Sequence, residues 1–71
     1  MEIVKVRYIS ETTRRLSDRE YTYYSEKPLE LGVKVNVPVK DTVAPAVVTT
    51  VDVPEEEIQE FKNFVKTIPA P

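Results

Sequence analysis

The sequence has no cysteine, no histidine and no tryptophan, and only one glycine in 71 residues. Each absence removes a class of chemistry. Without cysteine there is no disulfide, no zinc ribbon, no iron–sulfur site and no thiol nucleophile. Without histidine there is no imidazole base, no nitrogen-ligated metal of the common type and no catalytic triad. A lone glycine, Gly32, excludes a phosphate-cradling glycine motif. No calcium loop is present either, because the alternating oxygen ligands and their tight central glycine are missing. No apolar run approaches the roughly 18 residues of a membrane span, and no basic stretch leads into an apolar one at the N-terminus. Neither a span nor a signal peptide is expected, and the lack of cysteine suits a cytoplasmic protein. No cofactor is called for.

The length allows one small domain over residues 1–71. A chain this short buries only about 60% of the surface its unfolded form exposes. Its stability is therefore expected at a few kcal/mol, from packing alone.

Twelve valines, four isoleucines, seven threonines and four tyrosines stand against three leucines. β-Branched and aromatic side chains fit a pleated, half-buried surface better than a helix. The net charge is −2 and gives no basic excess to announce nucleic acid. The balance is uneven: residues 1–51 carry eight basic and seven acidic groups, residues 52–71 two and five.

Period-two alternation predicts four strands. Residues 2–9 are the first, with Val4, Val6 and Tyr8 on one face and Lys5 and Arg7 on the other. Ile3 and Ile9 fall on the charged face, which calls for a partial cover there by another strand or by the C-terminal helix. Residues 10–19 have no period and read as a polar loop, with Leu16 tucked back onto the sheet. Residues 20–25 are the second strand: Tyr21 and Tyr23 share one face, Thr22 and Tyr24 the other. Pro28 and Gly32 bracket the next connection, and the glycine marks a positive φ. Residues 33–39 are the third strand, with Val33, Val35, Val37 and Val39 on one side and Lys34, Asn36, Pro38 and Lys40 on the other. Pro38 belongs at an edge or a strand end. A turn at Asp41 and Thr42 leads to the fourth strand, 43–51, in which Pro45 marks a bulge, an edge or a late start.

Asp52-Val53-Pro54-Glu55 has the form of a capped helix start, and Ile58, Phe61, Val65 and Ile68 recur at helical spacing. A helix over about 54–67 is expected, ending before Pro69, with a Pro-Ala-Pro tail suited to a terminus or a linker. The fold class is therefore α+β, mostly β: a four-stranded, mainly antiparallel curved sheet or small barrel with one C-terminal helix. The expected core is Val4, Val6, Tyr8, Tyr23, Val33, Val35, Val37, Val47, Val51, Phe61 and Val65. Phe61→Ala, if that ring is buried, should cost about 3–5 kcal/mol.

The only dense carboxylate cluster, Glu55, Glu56, Glu57 and Glu60, reads as a solvated helix start complementing the dipole. No catalytic constellation emerges, and an enzyme is not expected. Basic residues lie in the first loop (Arg14, Arg15, Arg19) and on strand faces (Lys5, Arg7, Lys34, Lys40). With Tyr24 as a stacking surface, these are the candidate nucleic-acid-binding residues, because single-strand binders combine cations with aromatic platforms on a sheet. The same residues also suit an ordinary solvated face and a tyrosine core. A sheet edge or the helix surface offers the alternative, a protein-interaction or assembly module.

Tyr21-Thr22-Tyr23, Leu31-Gly32-Val33-Lys34-Val35-Asn36-Val37-Pro38, then Val47-Val48 and Val51, resemble the N-terminal DNA-binding domain of the primosomal replication-restart helicase. They also resemble small uncharacterised bacterial and phage proteins with the same order of motifs. The likeness covers about residues 3–53. It implies a small barrel and a DNA-associated role in replication, with single-stranded or duplex DNA as partner. Val39 and Lys40 stand where the helicase family has an aromatic and a glycine, so that family's strand-end pocket is not carried over.

Overall fold

The computed structural model describes residues 1–10 and 12–68. Five strands form one sheet: β1 (Glu2–Tyr8), β2 (Tyr21–Ser25), β3 (Lys34–Val39), β4 (Thr42–Thr50) and β5 (Lys66–Ile68). The order across the sheet is β3-β4-β1-β2-β5. Every pairing is antiparallel except β2 with β5, which is parallel. The first four strands lie within a residue of their expected bounds. Ile9 forms only an isolated bridge to Leu16, which does fold back beside β1 although its side chain stays exposed.

Alternation sorts β1, β2 and β3 as expected, but on β4 Ala46 and Val48 face inward while Val47, expected in the core, faces outward, because the extra residue at Thr49 puts Val47 and Val51 out of phase. Val4, Val6, Tyr23, Val37, Ala46, Val48 and Ile68 form the main core on the inner face. The sheet curls round this core into a half-barrel, bringing its edge strands β3 and β5 into contact. A bulge helps the curl. Lys5 pairs with Thr50 but Val6 with Val48, so Thr49 is the extra residue on β4.

The prolines occupy positions where no ladder donor is needed. The two-residue connection Lys40-Asp41 closes on the Val39–Thr42 pair, which sets the hydrogen-bonding parity of β3 and β4. Asn36–Pro45 and Pro38–Val43 are then non-hydrogen-bonded pairs. Pro38 thus faces its missing N–H to the free edge of β3. Pro45 faces β1 just past that strand's end, where its carbonyl accepts the Ile9 N–H at 3.1 Å. The turn therefore lies at Lys40-Asp41, one residue before the expected position, and Lys40 adopts φ +48°. Gly32 has φ +84° in the connection before β3, as its position in the sequence implied.

The C-terminal helix is not formed. Residues 55–58 and 62–64 make two short 3₁₀ turns, and Lys66–Ile68 is β5. Three physical reasons account for this. Asp52 sits at φ +55°, so it cannot cap, and Pro54 precedes the first turn with no side-chain cap at all. Like charges at Glu56 and Glu60, four residues apart, oppose a helix, and Val65, Thr67 and Ile68 are β-branched. A segment of about 14 residues is marginal as a helix, whereas the open edge of β2 offers backbone partners to an extended chain. Phe61 breaks the run with φ −133° and is 41% exposed. The helical spacing of Phe61, Val65 and Ile68 was coincidental, and Phe61, Val33 and Val47 are not core residues.

The same segment builds a second cluster. Ile3, Val53 and Ile58 are buried together on the outer face of β1, with Tyr24 and Val65 packed against them. The partial cover expected over Ile3 is supplied by this irregular segment. The expectations for residues 69–71 lie outside the described residues.

Candidate functional site

Two surfaces stand out, one basic and one aromatic. The basic surface is the outer face of β3, β4 and β1. Lys34 pairs with Val47, and Val47 pairs with Arg7, so the two cations flank one valine across three strands. At about 4.8 Å per strand they are roughly 10 Å apart along the backbone. Lys5 follows on the same face of β1. The loop after β1 brings a fourth cation to this side. Ser10 and Arg14 are joined by a bond from the Arg14 N–H to the Ser10 carbonyl at 2.7 Å, and Arg14 turns with φ +57°. Arg14, Ser10, Ile9 and Lys34 line a groove of about 340 Å³.

Among the described residues, Glu20 brings a carboxylate to this face. Glu20 accepts hydroxyl hydrogen bonds from Thr49 at 2.6 Å and Thr50 at 2.8 Å. Those two bonds, and then the charges of Arg7 and Lys5, hold it below the usual carboxylate range. It therefore stays ionised and partly neutralises the lower end of the basic row.

Not every predicted residue joins this surface. Lys5, Arg7, Arg14 and Lys34 come together. Arg15 and Arg19 are exposed in the β1–β2 connection but do not line the groove. Lys40 is in the β3–β4 turn, at the opposite end of β3 from Lys34. Tyr24 is half-buried against the second cluster, where its ring is a packing element and not a free stacking platform.

The aromatic surface was not foreseen. It lies at the seam where the half-barrel fails to close, between β3 and the segment leading into β5. Tyr8, Tyr21, Pro38, Phe61, Phe64 and Lys66 are among the residues lining a cleft of about 460 Å³. The Tyr8 and Tyr21 rings are 4.5 Å apart at 42°. The Tyr8 hydroxyl meets that of Tyr23 at 2.6 Å, and the Tyr23 hydroxyl donates to the Pro38 carbonyl at 3.3 Å. Burial, and then the hydrogen bond with Tyr8, raise the Tyr23 phenol above the ordinary tyrosine range. Phe64 is 83% exposed. The signal in the sequence was the pair Phe61 and Phe64, of which Phe61 was expected in the core.

Glu55, Glu56, Glu57 and Glu60 are all exposed, and among the described residues no acidic group is arranged to hold a metal ion. No helix among the described residues is long and apolar enough to cross a membrane.

Fold and surfaces together define a small mostly-β domain, a curled five-stranded mixed sheet with two short 3₁₀ turns. No family model, no curated protein and no solved structure matches the chain.

Proposed function

We propose that the chain is a non-catalytic binding module for nucleic acid, which contacts phosphates through the outer face of β3, β4 and β1. The observation that carries this reading is the convergence of Lys5, Arg7, Arg14 and Lys34, drawn from three separate sequence segments, on the outer side of the sheet. The resemblance of residues 3–53 to a replication helicase's DNA-binding domain favours DNA and a replication-associated role. With at most four cations engaged, the salt dependence is shallow. Single-stranded DNA should give a log–log slope no steeper than about −3, at about 0.7 per phosphate.

Fluorescence titration with labelled single-stranded and duplex oligonucleotides tests this. Binding at about 50 mM salt that is abolished in an Arg7→Glu, Lys34→Glu double variant, and little changed in Lys40→Glu, is the expected outcome. No binding at tens of micromolar protein would sink the reading. A second reading, a protein-interaction module, is favoured by a different observation: the exposed Phe61 and Phe64 at the aromatic cleft.

A further inference from the structure

The aromatic cleft has walls that discriminate between ways of binding a polypeptide. An exposed sheet edge ordinarily recruits an extended strand through its unpaired N–H and C=O groups. At the cleft that mode loses backbone partners on both sides. The edge of β3 at the cleft is Pro38, which has no N–H, and its carbonyl already accepts the Tyr23 hydroxyl. The edge of β2 is covered by β5 from Tyr23 to Ser25, which leaves only Tyr21 and Thr22 beyond it. What the cleft does present is ring surface, from Tyr8, Tyr21, Phe61, Phe64 and Pro38.

Its polar side chains are mostly donors, with one carboxylate, Glu20, among them. The Tyr23 proton goes to Pro38, so Tyr8 donates to the Tyr23 oxygen. The further donor-bearing residues lining the cleft are Tyr21, Thr22 and Lys66. A polyproline II segment is the complement of such a surface. It has no internal hydrogen bonds, its prolines lack N–H groups, its carbonyls point outward as acceptors, and its rings pack on aromatic walls. Charge complementarity adds a carboxylate opposite Lys66. Glu20, the acidic residue at the rim, is already engaged by Thr49 and Thr50 and lies in the field of Arg7 and Lys5.

We infer that the seam cleft binds a proline-rich segment of a partner protein in the polyproline II conformation, with an acidic residue placed against Lys66. This rests on the protein-interaction reading and is independent of the basic outer face.

The test is amide-shift mapping of the 15N-labelled chain, titrated with a peptide of repeated Pro-Pro-Ala ending in glutamate. The expected result is saturable shifts at Tyr21, Phe61, Phe64 and Lys66. Phe64→Ala, at a position too exposed to threaten folding, should weaken binding about tenfold, the scale of a lost aromatic anchor. A glutamate-to-lysine peptide should bind several-fold more weakly, and Lys66→Glu should reverse that preference. Lys34→Glu should leave peptide binding unchanged. If a β-favouring Thr-Val peptide shifts these amides and the proline peptide does not, the occupant is wrong while the protein-interaction reading stands. If neither peptide shifts them, both fall. Shifts there with oligothymidine alone would hand the cleft to nucleic acid and overturn the inference.

Discussion

The two hydrophobic clusters lie on opposite faces of the β1–β2 pair and are held by different means. The main one is enclosed by four laddered strands and closed by Ile68 of β5, so each of its side chains is positioned by backbone pairing on at least one side. The second one is a patch on the outer face, where Ile3 and its cross-strand partner Tyr24 meet a segment with almost no regular structure. That segment is tied down by one backbone bond, from the Val53 N–H to the Ile3 carbonyl at 3.2 Å, and by the side chains of Val53 and Ile58. Laddered backbone spreads stability over many residues. A draped segment concentrates it in a few.

The largest expected effect follows from that contrast. Ile58 is fully buried, with 0% exposure, although it sits in a single 3₁₀ turn. Ile58→Ala should cost about 2–5 kcal/mol, a large share of what so small a domain has. Phe61→Ala, three residues on, should cost clearly less, about 1 kcal/mol, because that ring is 41% exposed where Ile58 is fully enclosed. Urea denaturation of both variants decides it. Equal losses would mean that the anchor is the helical face of Phe61 and not the isolated side chain of Ile58.

The same contrast explains what was legible in the sequence. Period two in Val33–Val39 and in residues 2–8 reports a sheet face directly, because every second residue of a strand points one way whatever the neighbours do. Residues 52–68 carry a true apolar spacing as well, but Ile58, Val65 and Ile68 go to different places. Ile58 and Val65 meet the outer cluster and Ile68 the main core. Nothing local distinguishes one helix face from three separate anchors. The free edge of β2 that captured β5 exists only after the sheet has formed. The basic row needed the β1–β4–β3 register, which alternation alone does not supply. The cleft needed the seam between β3 and β5.

The seam itself can be tested. Tyr23 bridges it, bonded to Tyr8 on one side and to Pro38 of β3 on the other. Tyr23→Phe keeps the buried ring and removes both bonds, for a loss of about 1–2 kcal/mol. Its pH signature is distinctive. The folded phenol has a raised pKa, so it keeps its proton where the unfolded chain has lost its own. Stability is then independent of this group below about pH 10 and falls above it. Tyr23→Phe should flatten that alkaline fall. An unchanged alkaline limb in denaturation at pH 9–11 would show that Tyr23 does not hold the seam.

Smaller effects belong to the well-laddered side. Lys40 holds φ +48° at the first position of the β3–β4 turn, where a side chain is strained and glycine is not. Lys40→Gly should stabilise by about 0.5–1 kcal/mol with no change in either binding surface. A destabilised variant would mean that the Lys40 side chain contributes contacts that outweigh its backbone strain.

Glu20 links stability to the basic face, and here the expected change in stability is the smallest while the change in binding has a definite sign. Thr49 is the bulged residue of β4, and the bulge lets it and Thr50 both reach one carboxylate oxygen. Because the folded pKa is lowered, this contribution is present above the ordinary carboxylate range and is lost as pH falls through the folded value. Glu20→Gln should therefore reduce stability slightly at neutral pH and remove part of the acid sensitivity. The same change withdraws the negative charge that offsets Arg7 and Lys5. Nucleic-acid affinity at low salt should rise, and the gain should vanish as salt screens the face. Oligonucleotide titration of Glu20→Gln at two salt concentrations reads this. A fall in affinity would place the ligand away from Lys5 and Arg7 and move the interface to the Arg14–Lys34 groove alone.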